Sequence, residues 1–176
     1  MTTLISIAAF VHVLGAAIGV AGITFGEIFY LKATADGRVD AREREYMHTT
    51  FFALKWGLLM VLVSGIALGI LEYAYTGAEN HVLSAPWWFN NTLAFVIIFS
   101  GWGMMREKIT WWLGSALAFS GWWMMLMLDA WQITTPASSF SYLALVFAYV
   151  VFVAVTAAVL SYVRFFMSTR TPSSSK

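Results

Sequence analysis

Cysteine is absent from the chain. Its absence excludes disulfides, thiolate metal sites, iron–sulfur clusters and a thiol nucleophile, and redox usage says nothing about the compartment. Charge is nearly as scarce. Asp, Glu, Lys and Arg make up 11% of the 176 residues, where a soluble domain carries about 25%. That is too little charge to cover a water-facing surface. The net charge is +1, so the clustered excess of Lys and Arg that phosphate binding needs is missing, and nucleic acid is not expected as a partner. No phosphate-binding glycine loop, paired-histidine zinc motif or Ser-His-Asp arrangement is legible. No metal site and no catalytic set is assigned, and the sequence leans away from an enzyme.

What is there is apolar: 60% of the residues are hydrophobic. A membrane-spanning helix needs roughly 20 such residues in succession. Five stretches qualify, at about Leu4–Leu31, Met47–Leu71, Trp87–Met105, Ile109–Trp131 and Phe140–Met167. The connections between them are polar. One runs from Lys32 to Glu45 through Asp36-Gly37-Arg38, and one from Tyr73 to Pro86 through Gly77. Arg106-Glu107-Lys108 is very short, and Gln132 to Ser139 contains Pro136. The expected fold is all-α: a polytopic transmembrane bundle of about five helices over residues 1–168, with a disordered tail over 169–176. The N-terminus has no basic stretch, and the first run is too long for a signal peptide, so it is expected to be a retained helix.

Nine of the ten Lys and Arg residues fall on the first and third loops and the C-terminal segment: Lys32, Arg38, Arg42, Arg44, Arg106, Lys108, Arg164, Arg170 and Lys176. The positive-inside rule then places the N-terminus outside and the C-terminus in the cytoplasm, in an inner membrane. Trp87, Trp88 and Trp131 fall at the outer interface, and Trp102, Trp111 and Trp112 near the inner one. The expected partners are the lipid bilayer and either further copies or a larger membrane complex.

The first run carries Gly15, Gly19, Gly22 and Gly26, which at about 100° per residue share one side of a helix. Such a stripe admits another helix backbone or a flat cofactor. His12 borders it, and serves either as an axial ligand or as a neutral histidine bonded to a neighbouring helix. Met124 and Met125 in the fourth run match His12 in depth and are candidate second ligands. Glu27 and Lys55 are ionisable groups inside the first and second runs. A charge alone in hydrocarbon costs on the order of 2.5–3.5 kcal/mol, so a Glu27–Lys55 pair is expected, the alternative being that each reaches separately for the headgroups. His48 shares a face with Lys55, but its depth is too different for one iron to hold His12 and His48 together. His81 with Glu79 and Asn80 reads as a solvated loop, and Asp129 as an interfacial carboxylate.

Phe10-Val11-His12, Ala21-Gly22, Phe29-Tyr30, Trp56-Gly57, Ser64-Gly65, Trp88 and Ser100-Gly101-Trp102 give the first 105 or so residues a resemblance to small bacterial membrane proteins. That group includes the HemJ-type protoporphyrinogen oxidases and the membrane domain of copper-resistance protein D. The resemblance implies haem b held by His12. The lysine those enzymes carry near the start of the third helix is replaced by Asn90-Asn91-Thr92-Leu93. The first helix also resembles uncharacterised membrane proteins with a His-and-Gly pattern followed by an acidic residue, an aromatic and a lysine, here Glu27, Phe29 and Lys32. Ser120 to Pro136 is similar to one helix of cytochrome bd quinol oxidase subunit I. Three functions are therefore expected: first a haem-binding or redox-associated membrane protein, with a structural accessory subunit of a membrane complex and a small oligomeric transport or channel-like protein using Glu27 and Lys55 as the alternatives.

Overall fold

The structure, a computed structural model, describes residues 2–35, 40–76, 84–134 and 141–170. All regular structure among them is helical: α1 (Thr2–Ala35), α2 (Ala41–Thr76), α3 (Ala85–Met105), α4 (Trp111–Thr134) and α5 (Tyr142–Arg170). Three of these, over Thr3–Ala33, Ala41–Tyr75 and Tyr142–Met167, are long and apolar enough to cross a membrane. α3 and α4 have 21 and 24 residues, or about 32 and 36 Å at roughly 1.5 Å per residue. Within these lengths α3 carries Asn90 and Asn91, and α4 carries Ser115, Ser120 and Asp129.

The helix ends follow from local chemistry. α2 starts inside the segment read as a charged turn, because Asp40 and Glu43 form a reciprocal cap. The Asp40 carboxylate accepts from the Glu43 N–H at 2.8 Å, and the Glu43 carboxylate accepts from the Asp40 N–H at 2.9 Å. Ser84 caps α3 through the Trp87 N–H, with Pro86 in the first turn, where its missing N–H costs nothing. Ser141 caps α5 by accepting from the Ala144 N–H at 3.2 Å. Between α3 and α4 the chain turns on Glu107, at φ 55°, and the N–H groups of Lys108 and Ile109 donate to Gly103 O. α5 continues to Arg170, two residues past the expected boundary. Asp36-Gly37-Arg38, Gly77, Glu79, Asn80, His81, Pro136 and the tail beyond Arg170 lie outside the described residues.

Successive helices run antiparallel. Gly19 meets Gly57, Asn90 meets Asp129, and Ser115 meets Arg164. The bundle thus has an N-terminal end, where α1, α3 and α5 begin, and a C-terminal end, where they finish. α1 lies at the centre against α2 and α4, and α3 and α5 close around α4. The core holds Trp122, Phe89, Leu93, Ile97, Met125 and Tyr149. Tyr149 is satisfied there by donating to Leu117 O at 2.9 Å. The outward faces stay apolar, with Leu143 78% and Phe147 71% exposed. A water-facing protein rarely leaves that much apolar surface uncovered.

α2 rests almost wholly on α1 and hardly touches α3. A cleft therefore runs between α2 and α3, floored by α1 and α4. It places the candidate sites.

Candidate functional site

The cleft holds two pockets. The one towards the N-terminal end is about 120 Å³ and is lined by His12 of α1, Val61, Gly65 and Glu72 of α2, Trp87, Asn90 and Asn91 of α3, and Asp129 and Gln132 of α4. The other, towards the C-terminal end, is about 500 Å³. Apolar side chains separate them, among them Leu58 and Ile97.

In the smaller pocket, His12 bridges α2 and α4. Its Nδ1 lies 3.1 Å from Val61 O and 3.1 Å from Ser64 Oγ. Val61 O can only accept, so Nδ1 carries the hydrogen. The Ser64 hydroxyl donates back to Met60 O, a common habit of serine inside a helix, and so accepts from the imidazole. On the far side of the ring, Nε2 faces Asp129 Oδ2 at 3.7 Å. Asn90 Nδ2 donates to Asp129 Oδ1 at 2.7 Å. Asp129, His12 and Ser64 thus stand in a row that the sequence did not reveal. The row is no nucleophile site, because the serine hydrogen is committed to a backbone carbonyl and Ser64 is buried. Asp129, expected at the interface because it precedes Trp131, is only 7% exposed. Packing of α4 against α1 and α3 turns its carboxylate inward.

At the other pocket the sequence expectation fails in its partner. Glu27 is buried, and its Oε2 accepts from Arg164 Nη2 at 3.1 Å. The same Nη2 lies 2.9 Å from Ser115 Oγ, which accepts, and the guanidinium sits 5.6 Å from the Tyr30 ring centre. Lys55 makes no ion pair with Glu27. It lies on the exposed flank of α2, with its ammonium 4.6 Å from the Phe51 ring centre. Arg164, counted with the cytoplasmic tail, instead turns into the bundle from α5. The signal was present: Arg164 falls inside the fifth apolar run, three residues before its end, much as Glu27 falls four before the end of the first. Equal depth made them natural partners, and a planar guanidinium can serve carboxylate, hydroxyl and ring at once where an ammonium cannot.

The larger cavity takes its walls from Ile23, Leu54, Leu58, Ile98, Met104 and Trp122, with Glu27, Tyr30 and Ser115 along the floor and Lys55 at the rim. Phe51, Lys55, Ile98, Trp102 and Met105 are exposed on the flank of the bundle, so the cavity opens sideways between α2 and α3. His48 does not line it and is exposed on α2.

The glycine stripe is covered by protein. A methyl group on Gly15 would lie 2.9 Å from Gly57 O, and one on Gly22 3.2 Å from Leu54. Gly26 faces Thr50 in ordinary contact, and Gly19 faces the ring of Trp122. The stripe is therefore a helix–helix seam and offers no face to a flat cofactor. Met124 and Met125 do not line the pocket that His12 lines, and Met125 is fully buried in the core. Both ring nitrogens of His12 face protein groups. The 120 Å³ beside it is below the ~300 Å³ at which ligand pockets begin.

No protein-family model, no curated protein and no solved structure matches this chain.

Proposed function

We propose that this is a multi-pass inner-membrane protein that binds an amphipathic, lipid-soluble small molecule in the cavity between α2 and α3, entered from the bilayer. All five helices cross, with the N-terminus outside and the C-terminus in the cytoplasm. In support, the tryptophans Trp87, Trp88 and Trp131 cluster at the N-terminal end of the bundle and Trp102, Trp111 and Trp112 at the C-terminal end, as interfacial belts do. The cavity then lies in the cytoplasmic half.

The observation that carries the reading is the cavity itself. Its volume of about 500 Å³ falls in the range of small-molecule sites, and it combines apolar walls with a few polar groups. A side entrance suits a ligand dissolved in lipid. Glu27 and Arg164 neutralise each other, which leaves Lys55 at the rim as the charge a ligand meets. An anionic or acceptor-rich head with an apolar body is the complementary chemistry.

Gly101 provides the test. It lines the cavity, and a methyl group added there meets nothing within 4 Å. A side chain at this position therefore starts in open space, and Gly101→Phe should fill part of the cavity. Organic extracts of the purified protein, analysed by mass spectrometry, should contain an enriched amphiphile. Gly101→Phe should abolish the enrichment and Lys55→Ala reduce it. Equal extracts from wild type and Gly101→Phe would overturn the reading. So would a Soret band in protein expressed with ample haem, lost on His12→Ala.

A further inference from the structure

We infer that the smaller, N-terminal pocket is a site for one ammonium group, either the ammonium ion or the head of a small primary amine. The hydrogen-bond accounting leads there. Because Nδ1 of His12 holds the ring hydrogen against Val61 O and Ser64 Oγ, Nε2 presents a lone pair to the pocket. Facing it at 3.7 Å is Asp129 Oδ2, which is buried and has no hydrogen-bond partner. Asn90 gives its amide nitrogen to Asp129 Oδ1 and is left with a buried, unpartnered Oδ1. Buried acceptors are rarely left unmet in a native fold. Asp129 Oδ2 and Asn90 Oδ1 are thus buried acceptors of pocket-lining residues with no hydrogen-bond partner among the described residues, and His12 Nε2 stands beside the first of them.

The charge balance points the same way. α4 contributes the Asp129 carboxylate to the pocket wall; α3 adds the uncharged Asn90 and Asn91, and no α5 residue is among the described lining. A buried carboxylate oxygen without a hydrogen-bond partner calls for a cation. The atom types select which cation. Alkali ions prefer a full shell of oxygens, and one of the three acceptors here is an imidazole nitrogen. An ammonium group brings three or four N–H donors to match them. The indole of Trp87 also lines the pocket and offers a π face to a cation. At about 120 Å³, the space suits an ammonium or methylammonium ion with a few waters and not a bulky quaternary amine.

The proposal concerns a pocket separate from the lateral cavity and stands or falls without it. The test is thermal unfolding of the full chain in detergent, since a ligand that binds the folded state raises the midpoint by mass action. Methylammonium chloride should raise it in a saturable way, while sodium chloride and tetramethylammonium chloride at equal ionic strength should not. Asp129→Asn should weaken the methylammonium response by about tenfold or more, as expected for loss of a charge-assisted hydrogen bond. The comparison of the three salts on the unmodified protein decides the matter even where Asp129→Asn does not fold. An equal response to sodium would make this an alkali-ion site and overturn the proposal. No response to any of the salts would also overturn it, and would mean that a proton on Nε2 already meets Asp129.

Discussion

Arg164→Ala should be among the most damaging single changes available in this protein, lowering stability by about 3–5 kcal/mol, the range seen when one partner of a buried ion pair is removed. The loss arises mostly from what is left behind. Glu27 is 5% exposed, and without the guanidinium its carboxylate faces Ser115, Tyr30 and the apolar cavity wall. Arg164 is better sheltered than a surface arginine, with its side chain 22% exposed, so solvent does little to screen the pair. The damage should therefore be largely reversed in the double variant Arg164→Ala, Glu27→Gln, in which the buried charge is gone. Arg164→Lys should rescue only in part, because an ammonium cannot span Glu27 Oε2 and Ser115 Oγ while lying over Tyr30. Lys55→Ala should cost less than about 1 kcal/mol, as an exposed residue does. Unfolding of the four variants in detergent gives the comparison. A Lys55→Ala variant as unstable as Arg164→Ala would refute the assignment of partners.

The contrast between Lys55 and Arg164 shows what could be learned before the fold was known. Long runs of apolar residues gave the number and approximate ends of the helices, because a spanning helix needs such a stretch whatever its neighbours are. The same runs identified His12 and Glu27 as buried groups in need of partners. Depth along a helix is legible in this way, but rotation about its axis and the choice of neighbour are not. Lys55 and Arg164 both lie within reach of the level of Glu27, yet α2 turns Lys55 to its outer flank while α5 turns Arg164 inward. Asp129 was misplaced for a related reason. Its nearness to Trp131 gives its level, and only the packing of α4 against α1 shows that it faces His12. The α2 boundary slipped by six residues, because Asp40 and Glu43 read as surface charge when their role is to cap each other's backbone.

The glycine stripe was legible as a seam, and the seam makes a graded prediction. Alanine at Gly57 would bring its methyl group to 2.8 Å from Gly15 O and 3.0 Å from Gly19 N. Both are backbone atoms of the facing helix, so no side chain can swing aside and α1 and α2 must part. Gly57→Ala should therefore cost about 1–3 kcal/mol, as overpacking does, even after the gain in helix propensity. At Gly19 the methyl group would overlap the Trp122 ring, which is 1% exposed and sits between α1 and the cavity. The ring must then leave its place. Gly19→Ala should lose at least as much stability as Gly57→Ala and should also disturb ligand retention in the lateral cavity, which Trp122 lines. Gly22 faces the side chain of Leu54 at 3.2 Å and Gly26 faces Thr50 at 3.6 Å, so alanine there should be nearly neutral. Gly101→Ala meets open space and should stabilise by up to about 1 kcal/mol. Thermal unfolding of the five alanine variants should rank Gly101, then Gly26 and Gly22, then Gly57 and Gly19, from most to least stable. If Gly57→Ala were as stable as Gly101→Ala, the backbones of α1 and α2 could not be in contact, and the cleft that depends on α2 leaning on α1 alone would have no basis.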